Sequence, residues 1–131
     1  MPAAIERIPY ALHLGVQLES TSAKGATFRI DADERFMGNP ILRAFHGGVI
    51  CGFIECAMSL TIMEEGESFR APRLITLTTS FLGSASVDKP LRVCTEVTKA
   101  GGRIRGVTAR SFQASQDVLV AKASALFRAS V

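Results

Sequence analysis

Cysteine and histidine are scarce in this chain, and their scarcity bounds its chemistry. The three cysteines, Cys51, Cys56 and Cys94, are odd in number and lack CxxC spacing, and the only histidines are His13 and His46. Neither a disulfide framework nor a metal centre is indicated. Charge of one sign is also in short supply. The formal net charge is only +3, and the basic residues are scattered rather than grouped with aromatics, so no nucleic-acid partner is expected. A slightly basic chain does suit an anionic small ligand. The longest nearly uncharged run, Val49 to Met63, is interrupted by Glu55 and falls short of the roughly 20 apolar residues that span a bilayer. It reads as a buried helix, with no membrane partner. The first residues, Met1 to Arg7, lack the basic start and apolar middle of a secretory signal, which makes the cytoplasm the expected compartment.

A length of 131 residues, 47% of them hydrophobic, suits a single domain over 1–131 with one core. No long low-complexity or single-sign charged stretch argues for disorder. Ile5, Ile8, Tyr10 and Leu12 are loosely helical in spacing, but Pro9 must break or kink a helix there, so Ala3 to Leu14 is expected to form a short irregular helix. Gly15 to Ser22 and Lys24 to Ala32 alternate apolar and polar residues around Ala23-Lys24-Gly25, the pattern of a hairpin. Asp33 to Phe45, with Gly38, Asn39 and Pro40, reads as an ordered loop. From Gly47 through Met63 the chain is apolar on every side, so that helix must be enclosed by the rest of the protein.

After Glu64-Glu65-Gly66-Glu67 come four segments of strand character: Leu74 to Leu82, Leu91 to Lys99, Arg103 to Gln113 and Val118 to Arg128. Short connections, such as the Gly101-Gly102 turn, imply antiparallel pairing. One long central helix wrapped by a curved antiparallel sheet of about six strands, an α+β architecture, is the simplest packing of this order.

Glu55 lies among Phe53, Ile54, Cys56, Ala57 and Met58, where burying an unpaired carboxylate costs several kcal/mol. Either it occupies the least buried stripe of the helix or pairs with an arginine, or it faces a pocket as a base or nucleophile whose pKa is tuned by desolvation. Gly47 and Gly48 bear on that choice. Two glycines at a helix start leave N–H groups unobstructed at the positive end of the helix dipole, a site for an oxygen that becomes negative during acyl transfer. A helix start that needs small residues for packing explains them as well. His46 is either a hydrogen-bonded structural residue holding the loop and helix in place, or an acid or base.

Residues 46 and 55 are nine positions apart, which on an α-helix is about 13.5 Å of rise and roughly half a turn of net rotation. One copy of the helix cannot aim both ends at one small acyl group. If both act on the same group, the helix start comes from one subunit and the acid from another, and a symmetric dimer with two composite sites follows.

The segment Gly38-Asn39-Pro40-Ile41-Leu42-Arg43-Ala44-Phe45-His46-Gly47-Gly48-Val49-Ile50, followed by Glu55, resembles the signature of hotdog-fold thioesterases of the phenylacetate-degradation, PaaI-like type. Arg73 to Leu82 and the Gly101-Gly102-Arg103 turn are similar to the family's later sheet. The resemblance implies a hotdog fold and hydrolysis of acyl-CoA in a homodimer or a dimer of dimers. No cofactor is implied, since CoA is part of the substrate. By position, Glu55 becomes nucleophile or general base, and Gly47 or Gly48 N–H polarises the thioester carbonyl. Ser59, one turn after Glu55, matches a hydroxyl that orients the acid or water; alternatively it bonds back to its own helix. Asn39 resembles the family's amide residue but stands seven rather than six positions before the histidine. Arg103 and Arg105, expected on one strand face, become candidates for the CoA phosphates.

Two rivals stand beside this reading. A hotdog hydratase or dehydratase would use His46 as its base, and a non-catalytic acyl or CoA-binding module would show no turnover. Phe36, Met37, Phe53, Met58 and Phe81 are the apolar candidates for lining an acyl pocket.

Overall fold

The computed structural model describes residues 2–68 and 70–129. Two short N-terminal helices, α1 (Pro2–Ile5) and α2 (Pro9–Leu14), replace the single irregular helix expected there. Pro9 is the reason: it lacks the N–H that would continue α1, but its fixed φ suits the first turn of α2. Gly15 ends α2 in the left-handed region at φ 73°, with its N–H turned back to the carbonyls of Ala11 and Leu12.

Six strands form one antiparallel sheet: β1 (Gln17–Thr21), β2 (Ala26–Ile30), β5 (Arg73–Phe81), β6 (Leu91–Lys99), β7 (Ile104–Phe112) and β8 (Leu119–Arg128). Their order across the sheet is β1-β2-β6-β7-β8-β5. Alternation decides which side faces inward. On β8, Ala121, Ala123, Ala125 and Phe127 are buried while Lys122, Ser124, Leu126 and Arg128 are exposed. The buried row covers the long helix α3 (Gly47–Glu65), against which β6 and β7 make most of the sheet's contacts.

The expectation that α3 is enclosed holds from Phe53 to Met63, where every residue except Glu55 is buried. Its first turns are more open, with Gly48 exposed and Val49, Cys51 and Gly52 only partly covered. By length and hydropathy α3 would cross a bilayer, yet 61% of its apolar window is buried inside the fold; this is a core helix. Fully buried Phe28, Phe53, Ile54, Met58 and Phe127 mark the centre of the helix–sheet interface.

The segment expected to be a loop before α3 contains a 3-10 turn (Glu34–Phe36) and a small antiparallel pair, β3 (Met37–Asn39) and β4 (Ala44–Phe45). The sheet's two outermost strands differ in character. β5 pairs with β8 on one side only, and it carries exposed Ile75 and Phe81. A nine-residue edge without proline or lysine, and with no covering strand among the described residues, is a template for another strand.

Candidate active site

The sequence around the helix start disposes of its unpaired N–H groups one by one. His46 has extended backbone (φ −63°, ψ 135°), and its Nδ1 accepts the Gly48 N–H at 2.8 Å. Its own N–H donates to Phe36 O at 2.8 Å, and its carbonyl accepts from Val49 N at 3.0 Å and Ile50 N at 3.1 Å. Gly47 N–H alone in that first turn has no partner among the described residues. Four donors are normally left over at a helix N-terminus, and here the count is reduced to one. Of the two glycines offered as carbonyl-polarising donors, Gly48 is already engaged, and Gly47 has its N–H free.

Both glycines also serve packing. A Cβ on Gly48 would lie 2.9 Å from His46 Nδ1, so glycine lets the imidazole fold over the turn; one on Gly47 would meet the Phe81 ring at 3.3 Å. Because Nδ1 accepts, the neutral imidazole carries its proton on Nε2. Neither ring nitrogen is then a free base, and His46 supports the helix start.

The β3–β4 hairpin fixes His46 from below. Phe45 N donates to Ala85 O at 2.8 Å and Val87 N to Arg43 O at 2.9 Å. Arg43 sits in the left-handed region at φ 51°, and its guanidinium grips both oxygens of Asp88, at 3.0 and 2.7 Å, and Glu34 at 2.6 Å. These hydrogen bonds hold the Asp88 carboxyl below its ordinary value. Gly38 occupies a bulge, where a Cβ would come within 2.6 Å of His46 Cα; this steric requirement of the hairpin on the helix start had no expression in the sequence reading. Asn39 spends its side-chain oxygen on the turn, accepting from Ile41 N at 3.0 Å and Leu42 N at 3.1 Å. Its position in the structure is that of a turn former.

Further along α3, Glu55 lies on the partly exposed stripe with Cys51 and Gly52. Among the described residues it makes no hydrogen bond or ion pair, so the arginine partner considered above is not what holds it. Ser59, one turn on, is 6% exposed and makes no hydrogen bond among the described residues. Thr61 shows what a helix hydroxyl does otherwise: it donates to Ala57 O at 2.8 Å and contacts Thr95 Oγ1 at 2.7 Å. The adjacent thiol of Cys56 is pushed up to about 12, by burial first and then by the Glu55 charge, and stays protonated. Cys51 contacts Thr79 Oγ1 on β5 at 3.5 Å, which sets the start of α3 against the end of that edge strand.

The structure therefore brings His46, Gly47 and Gly48 together at one end of α3, and Glu55 with Ser59 more than two turns away. Arg103 stands just before β7, which begins at Ile104 after the turn at Gly101 (φ 81°) and Gly102 (φ 72°), and Arg105 lies within the strand. Arg105 is committed to Glu65 and to Gly102 O. Arg103 is exposed, and its guanidinium has no partner among the described residues. A hollow of about 470 Å³ lies between Glu96, Arg110 and Lys122 on the sheet face turned away from α3. Thr95 lines it, but His46, Gly47, Gly48, Glu55, Ser59, Asn39, Arg103 and Arg105 do not.

The family of acyl-CoA thioesterase N-terminal domains matches residues 38–128, and the chain belongs to that family. A search of curated proteins gives no significant match. Among solved structures, the chain is similar to the Escherichia coli PaaI protein of the phenylacetic acid degradation operon, with 17% identity over 98% of this chain and 93% of that one and a TM-score of 0.80. It is similar to a phenylacetic acid degradation-related protein of Ralstonia eutropha, with 21% identity, coverage of 92% and 89%, and a TM-score of 0.81. It also resembles a protein of Chromobacterium violaceum, with 25% identity, coverage of 96% and 86%, and a TM-score of 0.74. Fold and family together define a hotdog-fold thioesterase. Its likeness to the two phenylacetic acid degradation proteins is one of fold.

Proposed function

We propose that this chain hydrolyses acyl-CoA to a carboxylic acid and free CoA at two composite sites of a homodimer. The observation that carries the reading is a pair of groups on one helix that have no partner among the described residues: the Gly47 N–H at its start and the Glu55 carboxylate a little over two turns later. Each is what acyl transfer needs, a donor for the developing oxyanion and a carboxylate to attack or to activate water. Each is too far from the other to serve one thioester within one chain.

The free edge of β5 supports the second copy. Antiparallel pairing of two β5 strands about a two-fold axis would satisfy the open edge and cover Ile75. The two helices would then lie side by side on one continuous sheet, with the helix start of one subunit facing the acid of the other. In that site Gly47 N–H polarises the thioester carbonyl, Glu55 of the other subunit delivers the oxygen nucleophile, and the Ser59 hydroxyl orients it. Arg103, whose guanidinium has no partner among the described residues, is the better of the two arginines for a CoA phosphate. A hydratase would need His46 as base, and its Nδ1 is occupied by Gly48 N–H.

Glu55→Gln tests the assignment. The side chain has no partner to lose among the described residues, so the variant is expected to fold with a melting temperature close to wild type and to release thiol at least about 100-fold more slowly. A folded variant with the wild-type rate excludes Glu55.

A further inference from the structure

Five apolar side chains could line an acyl pocket by sequence, and the structure separates them by burial and by neighbour. Phe36, Phe53 and Met58 are 6%, 0% and 0% exposed, part of the core that holds α3 to the sheet. Met37 packs against the same core. Phe81 is different: it is the last residue of β5 and 53% exposed. It stands on the helix side of that strand, two residues beyond Thr79, which meets Cys51. Its ring is the nearest group to the outer side of Gly47, 3.3 Å from where a Cβ would be.

Half-exposed phenylalanine beside a free N–H has a chemical consequence. A thioester whose carbonyl oxygen rests on Gly47 N–H must send its acyl carbons past the groups that flank Gly47, and the one identified there is the outer end of an aromatic ring. We propose that Phe81 selects the acyl group, its ring forming the wall on which the carbons next to the carbonyl pack. The inference rests on the thioesterase reading above and adds the specificity-determining side chain to it. Apolar acyl carbons gain contact and lose water at this wall. An acyl group with a carboxylate near the carbonyl would lose hydration there without a compensating charge from the ring. Acetyl is too short to use the wall fully.

The test compares thiol release from acetyl-, hexanoyl-, phenylacetyl- and succinyl-CoA by the wild type, Phe81→Ala and Phe81→Leu, with melting temperature and oligomeric state measured on each protein. The wild type is expected to prefer hexanoyl- and phenylacetyl-CoA to succinyl-CoA. In Phe81→Ala, kcat/KM for those two should fall about tenfold further than it does for acetyl-CoA, the scale of discrimination one apolar contact supplies. Phe81→Leu should fall between, and carries the comparison alone if the alanine variant does not fold. Substrate ratios that match wild type in a folded variant overturn the proposal, as does an equal loss on all four substrates, which would mark Phe81 as a support for the helix start. A wild type that releases no thiol from any of them overturns the thioesterase reading and this inference with it.

Discussion

Gly47→Pro removes one atom group from the proposed site, the N–H that has no partner, and the backbone around it is ready for the change. Position 47 is the first residue of α3, where proline is tolerated because its missing N–H would be unpaired in any case. The residue before a proline must be extended, and His46 already is, at φ −63° and ψ 135°. The ring would press on Phe81, whose far end lies 3.3 Å from the Cβ position and can shift by a few tenths of an ångström. The expected stability cost is therefore below about 1 kcal/mol, against about 3 kcal/mol for proline inside a helix. Loss of one oxyanion donor costs about 100- to 1000-fold in kcat, or roughly 3–4 kcal/mol of transition-state stabilisation. Thiol release under saturating acyl-CoA, with a thermal melt on the same sample, separates the two effects. A folded Gly47→Pro protein whose kcat is within about fivefold of wild type would refute the assignment of this N–H.

His46 gives a cap-exchange experiment. His46→Ala deletes the bond to Gly48 N–H and should lower stability by about 1 kcal/mol, whereas His46→Asn restores an acceptor and should recover most of it. Thiol release should follow the same order; equal inactivity of the two variants would make the imidazole itself essential and revive the base reading. The Asp88–Arg43 anchor predicts a pH signature. The Asp88 carboxyl is held below its ordinary 3.8, so its contribution is complete at neutral pH and is lost only as pH falls below that value, through the folded-state pKa. The melting-temperature gap between wild type and Asp88→Asn should accordingly be steady from pH 7 to pH 5 and close below pH 3.8; a gap that closes near neutrality contradicts the sign.

Much of the architecture was legible because period-2 alternation and turn glycines carry it. Leu91 to Lys99 matches β6 to the residue, and β8 begins only one residue later than its alternation suggested. The β3–β4 pair was not legible: it is five residues in all, broken by a bulge at Gly38, too short for a period to show. Helix α3 runs to Glu65, beyond the last apolar residue, because Arg105 from β7 reaches that carboxylate, a long-range contact no local pattern announces. At the site, Glu55 stood out by its apolar surroundings. The unequal fates of Gly47 and Gly48 did not, since histidine is outside the usual set of capping residues and its cap is what divides them.

Subunit complementation tests the composite site most directly. Glu55→Gln lacks the acid and Gly47→Pro lacks the donor, so each homodimer should be nearly inactive. A mixed dimer has one site in which both defects fall together and one in which neither occurs. With random exchange about half the dimers are mixed, each with one intact site of two, so the equimolar mixture should recover roughly a quarter of wild-type thiol release per chain. Recovery to that level is the predicted result; a re-equilibrated mixture no more active than its two parents, with mixed dimers shown to be present, would contradict the claim that each site is built from two chains.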